Sequence, residues 1–226
     1  MIFNYNIFKI ILVLKKINIL FIKNMSCNNI IKRLKFNVII LGEAQVGKTS
    51  MISNLKGNKF EESGLSTTGI DFHNDEATFD GNKYKFKIFD TAGQERYRSI
   101  SSQQIKVADG FMVVYAVNLP NSFEQIRWWV DTIEEETDIT KKPVMLVANK
   151  VDVNDRKITH DEGYEYACSR KIKYIETSAK TGYNIKEAFN ELYKDIYNIG
   201  KDDIKLTEEN IKIRQSIYRR NKKKKC

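Results

Sequence analysis

The segment Gly42–Thr49 constrains the fold and chemistry of this chain more than any other. It reads Gly-Glu-Ala-Gln-Val-Gly-Lys-Thr and fits the pattern G-x-x-x-x-G-K-[ST], between an apolar run and a helical stretch. In that context the glycines let the backbone wrap phosphate groups, with N–H groups pointing inward at a helix N-terminus. Lys48 can then reach the β and γ phosphates, and the Thr49 hydroxyl can bind Mg²⁺. The alternative, an incidental glycine-rich turn, does not explain this strand-to-helix context.

Short apolar runs alternate with helical stretches from Phe36 onward, which predicts a parallel sheet covered by helices. Two further runs flank Asp80-Gly81, a turn signal that predicts a hairpin and hence one antiparallel strand. The predicted strands are Phe36–Leu41, Ile70–Thr78, Lys83–Phe89, Phe111–Val117, Val144–Asn149 and Ile172–Glu176. The predicted helices are Lys48–Leu55, Ser122–Glu135, Thr159–Arg170 and Asn184–Ile199. The expected fold class is therefore α/β, a mostly parallel six-stranded sheet with one antiparallel strand and helices on both faces.

A second motif, Asn149-Lys150-Val151-Asp152, follows a predicted strand at the end where open α/β sheets bind ligands. A carboxylate at Asp152 can accept two hydrogen bonds from guanine, from N1–H and from the 2-amino group. Adenine has an acceptor at N1 and no 2-amino group, so it would leave this carboxylate unpaired and desolvated. The N-K-x-D pattern is weak alone and becomes specific beside the phosphate-binding pattern upstream.

Two more segments follow predicted strands: Asp90–Glu95 reads Asp-Thr-Ala-Gly-Gln-Glu, and Glu176–Lys180 reads Glu-Thr-Ser-Ala-Lys. Together the four motifs have the order and spacing of Ras-superfamily GTPases, which the chain resembles over Leu34–Tyr197. The resemblance implies a P-loop GTPase domain that binds GTP or GDP with Mg²⁺. It also implies slow GTP hydrolysis, because the chemistry is electrostatic positioning with little covalent help from the protein.

The resemblance implies roles for residues that respond to the γ-phosphate. Thr67 would meet Mg²⁺ and the γ-phosphate only when GTP is bound, and Asp90 would hold Mg²⁺ through water. The Gly93 amide would sense the γ-phosphate, and Gln94, the predicted catalytic residue, would orient the attacking water. The predicted metal ligands are Thr49, Thr67 and Asp90.

Around the base, the resemblance implies that Phe60 stacks on guanine and that the Ala179 amide contacts guanine O6. The full set of predicted nucleotide-binding residues is Gly42, Ala44, Gln45, Val46, Gly47, Lys48, Thr49, Ser50, Phe60, Thr67, Gly93, Asn149, Lys150, Asp152, Ser178, Ala179 and Lys180. The implied protein partners are a guanine nucleotide exchange factor, effectors, and a GTPase-activating protein that supplies an arginine. The chain itself is expected to be a monomer.

The segments Ser66–Phe72 and Gln94–Ile100 are similar to the two switches of the Rab branch. Phe89 departs from the tryptophan of most Rabs, and Gln104-Ile105 replaces a pair of tyrosines. These departures fall on the family's effector face, so the resemblance is to a divergent Rab that acts in vesicle traffic. A Ras-type signalling GTPase and a GTP-binding scaffold with negligible turnover are the alternatives.

The net charge of +9 is concentrated in the two tails. Residues 1–24 carry four lysines and no acids, residues 199–226 carry ten bases and four acids, and residues 25–198 carry 24 bases and 25 acids. A nearly neutral middle offers no phosphate-tracking stripe, so we expect no nucleic-acid partner. Three scattered cysteines do not make a disulfide framework and favour a reducing, intracellular compartment.

Residues 1–24 are apolar but interrupted by lysines, and their longest apolar run is Ile10–Leu14. This run is too short to span a bilayer, and the segment lacks the features of a secretory signal. We favour Met25 as the working start, with an interfacial helix as the alternative. The expected organisation is an N-terminal extension at 1–33, the GTPase domain at 34–198 and a flexible basic tail at 199–226.

The tail ends in six cations, Arg219, Arg220 and Lys222–Lys225, beside a terminal cysteine, Cys226. Such a cluster is attracted to an anionic membrane surface, and a lipid on Cys226 would supply the second signal that stable anchoring needs. The ending matches neither C-a-a-X nor a paired-cysteine pattern, so a solvated basic tail is the alternative. We expect the protein on the cytoplasmic face of an intracellular membrane, cycling with the cytosol.

Overall fold

All six expected strands are present in the computed structural model, which describes residues 35–61, 70–91 and 102–201. The strands are β1 (Lys35–Leu41), β2 (Ile70–Phe79), β3 (Asn82–Thr91), β4 (Gly110–Ala116), β5 (Val144–Asn149) and β6 (Lys173–Glu176). They form one sheet in the order β2-β3-β1-β4-β5-β6. The β2–β3 pair is antiparallel and the other neighbouring pairs are parallel, which confirms the expected fold class.

The hairpin turns at Asp80-Gly81, as expected. Both residues have positive φ angles, 48° and 79°, as a tight two-residue hairpin turn requires. The register pairs Phe79 with Asn82 beside the turn and Phe72 with Phe89 near the other end. The hairpin places β2 at the edge of the sheet.

Six helices connect or cover the strands of the described part of the chain. They are α1 (Lys48–Leu55), α2 (Ser102–Val107), α3 (Pro120–Glu124), α4 (Ile126–Glu136), α5 (His160–Arg170) and α6 (185–201). Within the described ranges, none of them combines the length and apolar character needed to cross a bilayer.

Two helix predictions need correction. The single helix expected over Ser122–Glu135 is divided at Gln125 into α3 and α4. Gln125 keeps right-handed helical angles, φ −76° and ψ −12°, so the apolar pattern continues through the division. The six-residue helix α2 was not predicted, because Ile105 is its only buried residue and gives no periodicity.

The core lies on both faces of the sheet. On one face, α2 to α5 pack against alternate residues of the central strands, including Leu41, Val113 and Leu146. On the other face, α1 and α6 bury Met51 and Phe189 respectively. Residues that alternate along β4 therefore point into different layers, and all seven are buried, as in a strand covered on both sides.

Helix α6 fastens the β2–β3 hairpin to the domain. The ring of Tyr193 stacks on Phe86 of β3 with centroids 3.8 Å apart. The Tyr193 hydroxyl donates to Asp75 at 3.1 Å, and the Tyr197 hydroxyl donates to Asp80 at 2.9 Å. These bonds hold the hairpin from its middle to its turn.

The capping box of α5 gives a test of local stability. The Thr159 hydroxyl accepts from the Glu162 N–H at 3.2 Å, and the Glu162 carboxylate accepts from the Thr159 N–H at 2.7 Å. We expect Thr159→Ala to lower the free energy of unfolding by about 1 kcal/mol, because the Glu162 N–H at the helix start loses its acceptor. Thr159→Ser is the matched control, since it keeps the hydroxyl. Urea unfolding that does not separate the two variants would contradict the assigned cap.

Candidate nucleotide site

Three loops and the end of β3 meet at one edge of the sheet, because the carboxyl ends of the parallel strands lie there. The loop of residues 42–47 follows β1, Asp90 lies at the end of β3, residues 150–158 follow β5, and residues 177–184 follow β6. This edge is where open α/β sheets bind ligands. The structure thus brings together the phosphate and base motifs, which lie far apart in the sequence.

The phosphate loop depends on two glycines. Gly42 has a φ of 138°, and a Cβ there would lie 2.1 Å from the Val114 carbonyl oxygen. Gly47 has a φ of 98°, and its Cβ would lie 2.4 Å from Nδ2 of Asn149. Both positions exclude a side chain by backbone angle and by space, so the loop can turn into α1 only with glycine.

Lys48 lies under this loop and is 5% exposed. Its Nζ donates to the carbonyl oxygens of Gly42 at 2.8 Å and Glu43 at 2.9 Å. Burial lowers the pKa of the Lys48 ammonium to about 8, while Asp90 and Glu43 oppose this shift. A phosphate group beside the ammonium would compensate the cost of burying its charge.

Thr49 and Asp90 fit a magnesium site. The Thr49 hydroxyl donates to Oδ2 of Asp90 at 2.6 Å. Asp90 is fully buried, and its Oδ1 has no hydrogen-bond partner among the described residues. Burial raises the pKa of this carboxyl, and the Thr49 hydrogen bond and Lys48 oppose the shift. A buried carboxylate oxygen beside a hydroxyl matches the oxygen ligands that Mg²⁺ prefers, with phosphates and waters completing its shell.

No cluster of three or more His, Cys, Asp or Glu side chains that could hold a metal ion occurs in the described part of the chain. The candidate magnesium site has one carboxylate and one hydroxyl, which is the sparse protein contribution expected when phosphates share the ion. The arrangement therefore needs the nucleotide to complete it.

Asn149, the last residue of β5, joins two loops. One is the phosphate loop, and the other is the loop of residues 177–184, which we call the base loop. Asn149 is fully buried, and its Nδ2 donates to the Val46 carbonyl at 2.7 Å. Its Oδ1 accepts from the Thr177 hydroxyl at 3.2 Å and from the Ala179 N–H at 3.1 Å. Guanine O6 would therefore share the Ala179 donor with Asn149.

The Asp152 carboxylate is oriented by a neighbouring loop. Its Oδ1 accepts from the Ser178 hydroxyl at 2.6 Å, and the Ser178 hydroxyl accepts from the Thr181 N–H at 3.1 Å. Lys150 precedes it with a left-handed φ of 67°. Burial lowers the pKa of the Lys150 ammonium, and Asp152 opposes the shift. An acceptor so fixed can receive the two donors on one edge of guanine.

The other predicted residues divide between described and undescribed segments. Phe60 is 38% exposed and makes no ring contact with the described residues, so its stacking on guanine remains a prediction. Ala44 and Gln45 form the turn of the phosphate loop, Ser50 lies in the first turn of α1, and Lys180 is exposed beside Ala179. Thr67, Gly93, Gln94 and Cys226 lie outside the described residues.

Two contacts in the site were not predicted from the sequence. Asn54 in α1 donates from Nδ2 to the Ala179 carbonyl at 3.3 Å, and the Thr177 hydroxyl donates to Asn149. Asn54 lies outside every recognised motif, and its partner is 125 residues away. Thr177 lies within a recognised motif, but its hydroxyl faces a protein group, and only the folded loops place the two together.

Sequence comparisons match most of the chain to known proteins. A sequence model of the Ras family matches residues 37–198. The Ras-related protein Rab-8A of Gallus gallus is 41% identical over 164 residues, which cover 71% of this chain and 78% of that protein. The Ras-related protein Rab-8B of Homo sapiens is 38% identical over the same shares of the two chains.

The base specificity can be tested at Asp152. We expect Asp152→Asn to shift preference from guanine toward xanthine nucleotides by about 10²-fold, because the amide offers a donor where the carboxylate accepted. Asp155→Asn is the control, since Asp155 is exposed on the same loop and pairs with Lys157. Competition binding with GDP and xanthosine diphosphate measures the change. An Asp152→Asn protein that binds GDP as tightly as wild type would refute the guanine assignment.

Proposed function

The chain belongs to the Ras family of small GTPases, enzymes that hydrolyse GTP to GDP and phosphate, and we propose that it is a Rab-type switch. In this proposal it binds GTP or GDP together with Mg²⁺ and recruits effectors in vesicle traffic. It acts on the cytoplasmic face of an intracellular membrane and cycles with the cytosol. An exchange factor and a GTPase-activating protein set its state.

The junction at Asn149 carries the proposal. One buried side chain bonds to Val46 of the phosphate loop and to Thr177 and Ala179 of the base loop. This bonding holds the phosphate and base subsites at a fixed separation. The two motifs therefore suit a ligand that has both a phosphate chain and a guanine base, such as GTP or GDP.

The proposed roles in hydrolysis are supported by the geometry around the phosphate loop and, for Gln94, by the family resemblance alone. The loop N–H groups and Lys48 would hold the phosphates, and Thr49 and Asp90 would hold Mg²⁺. Mg²⁺, when bound, would neutralise charge on the β and γ phosphates. Gln94 would orient the attacking water, while a GTPase-activating protein supplies an arginine worth roughly 10³–10⁵ in rate.

The hairpin edge supports the recruitment of effectors. Phe72 on β2 is 55% exposed, and Nζ of Lys87 lies 4.0 Å from the centre of its ring. Phe89, opposite Phe72, is partly buried against the core. An exposed aromatic ring on an edge strand, at the end of the predicted first switch, is a suitable anchor for a protein partner.

Hydrolysis can be tested at Gln94. We expect Gln94→Leu to leave the affinity for GTP nearly unchanged and to lower single-turnover hydrolysis about tenfold or more, because the water loses its positioning group. Gln103→Leu, at an exposed position of α2, is the control. If wild type and Gln94→Leu turn over GTP equally, with and without an activating protein, Gln94 has no such role. Negligible turnover by wild type in both conditions would favour the scaffold alternative.

Membrane attachment can be tested at the two ends of the chain. We expect Cys226→Ser to move the protein to the cytosol, because a lipid supplies about 0.8 kcal/mol per buried CH₂. Changing Lys222–Lys225 to Gln should weaken attachment in a salt-sensitive way, since electrostatic attraction is screened. Fractionation of cells with low-salt and high-salt washes measures both effects. Cys168→Ser, at an exposed position of α5, is the control.

Deletion of residues 1–24 completes this test. We expect it to leave location and GTP binding unchanged, as a working start at Met25 implies. A Cys226→Ser protein that stays on membranes, together with a deletion protein that leaves them, would place the anchor in the N-terminal extension instead.

A further inference from the structure

The loop of residues 150–158 is bonded at three points to the end of β6 and the loop that follows it. The Val151 N–H donates to the Thr177 carbonyl at 3.2 Å, and the Ser178 hydroxyl donates to Asp152 at 2.6 Å. The third point is an ion pair in which Nη1 of Arg156 lies 2.8 Å from Oε1 of Glu176. The first two points lie within the base motifs. The third lies four residues beyond Asp152 and immediately before Thr177.

This ion pair joins a loop residue to the last residue of β6 and is well fixed. The Arg156 and Glu176 side chains are only 30% and 21% exposed. Oε1 of Glu176 also accepts from the Tyr174 hydroxyl at 3.2 Å, and that hydroxyl lies 3.4 Å from the hydroxyl of buried Tyr115. The hydrogen bond to Glu176 raises the pKa of the Arg156 guanidinium. The pair is thus anchored through Tyr174 to the centre of the sheet.

The side chains of Tyr115 and Tyr174 are tightly packed against α5. A Cβ on Gly163 of α5 would lie 2.3 Å from the Tyr115 hydroxyl oxygen and 2.8 Å from the Tyr174 ring. The helix backbone therefore lies directly on the two tyrosines. Glu176 is held from a second side, because its carbonyl accepts from Nδ2 of Asn184 at 3.0 Å. The position of Glu176 is therefore fixed, and the loop of residues 150–158 is held in place where Arg156 pairs with it.

We propose that Arg156 is a positioning residue for guanine recognition, which through its ion pair with Glu176 holds the Asp152 loop against Ser178 and Ala179. The inference rests on the proposed function of this site as a guanine site. In this proposal Arg156 acts through Glu176 and makes no direct contact with the base. It fixes the separation between the acceptor at Asp152 and the donor at Ala179, which must meet opposite parts of the same base edge. Arg156 therefore sets how long the nucleotide stays bound and how well guanine is distinguished.

The test compares Arg156 with Arg170, a second partly buried arginine that also pairs with carboxylates. Arg170 is 23% exposed and pairs with Asp131 and Glu134, so it links α5 to α4 away from the base loops. We expect Arg156→Ala to speed the release of fluorescently labelled GDP about three- to tenfold, because one end of a partly buried ion pair is lost. Arg170→Ala should lower thermal stability and leave the release rate unchanged.

A second readout separates positioning from general loosening. Inosine diphosphate lacks the 2-amino group, so its affinity relative to GDP reports how well Asp152 is aimed. We expect Arg156→Ala to reduce the preference for GDP over inosine diphosphate, and Arg170→Ala to keep it. The double variant Arg156→Ala with Glu176→Ala should release GDP no faster than the faster single variant, because both act through one contact.

Arg156→Lys gives a milder variant in case the alanine protein does not fold, since lysine keeps the charge but lacks the planar donor fork. It should show the same changes to a smaller degree. Release rates and base preferences that are equal in the Arg156 variants, Arg170→Ala and wild type would overturn the inference. Wild-type protein that does not prefer guanine would instead overturn the proposed function on which it rests.

Discussion

The nucleotide site depends on the hydrogen bonds that the buried side chain of Asn149 makes. This side chain bonds at once to the carbonyl of Val46, the hydroxyl of Thr177 and the N–H of Ala179, so two loops from different strands share one amide. The same amide explains why Gly47 must lack a side chain, since a Cβ there would lie 2.4 Å from Asn149 Nδ2. Loss of the amide would leave buried groups unpaired in both loops, and each such group costs about 1–3 kcal/mol.

The buried charges of Lys48 and Asp90 favour the binding of phosphate groups together with a cation. Burial lowers the pKa of Lys48 and raises the pKa of Asp90, so in each case it disfavours the charged form. Phosphate groups would favour the ammonium, and a divalent cation would favour the carboxylate. The phosphates would therefore offset the cost of burying the Lys48 charge, and the cation would offset the cost of burying the Asp90 charge. This gives a physical reason for nucleotide and Mg²⁺ to bind together.

The parts of the fold that follow from local pattern could be predicted, and those that depend on tertiary contact could not. The buried strands were found because parallel strands are continuous apolar runs, and the hairpin because Asp80-Gly81 tolerates positive φ. Helix α2 was missed because six residues with one buried side chain have no period. In the site, the phosphate loop was predicted because its backbone needs glycines, and the Asn149–Asp152 motif because a carboxylate at Asp152 matches the donors of guanine. The Arg156–Glu176 pair was missed because its members are 20 residues apart and Arg156 lies in an irregular loop, where no periodicity predicts its partner.

The anchored β2–β3 hairpin lies between the two proposed switch segments in the sequence. Helix α6 holds the hairpin at Asp75 and Asp80 through two tyrosine hydroxyls, and the Phe86 ring is stacked on Tyr193. Thr67 and Gly93, the residues proposed to sense the γ-phosphate, lie in the chain just before β2 and just after β3. A hairpin held by packed rings and hydrogen bonds resists displacement. We therefore expect the hairpin to keep its place when the bound nucleotide changes, so that the exposed Phe72 stays available to a partner.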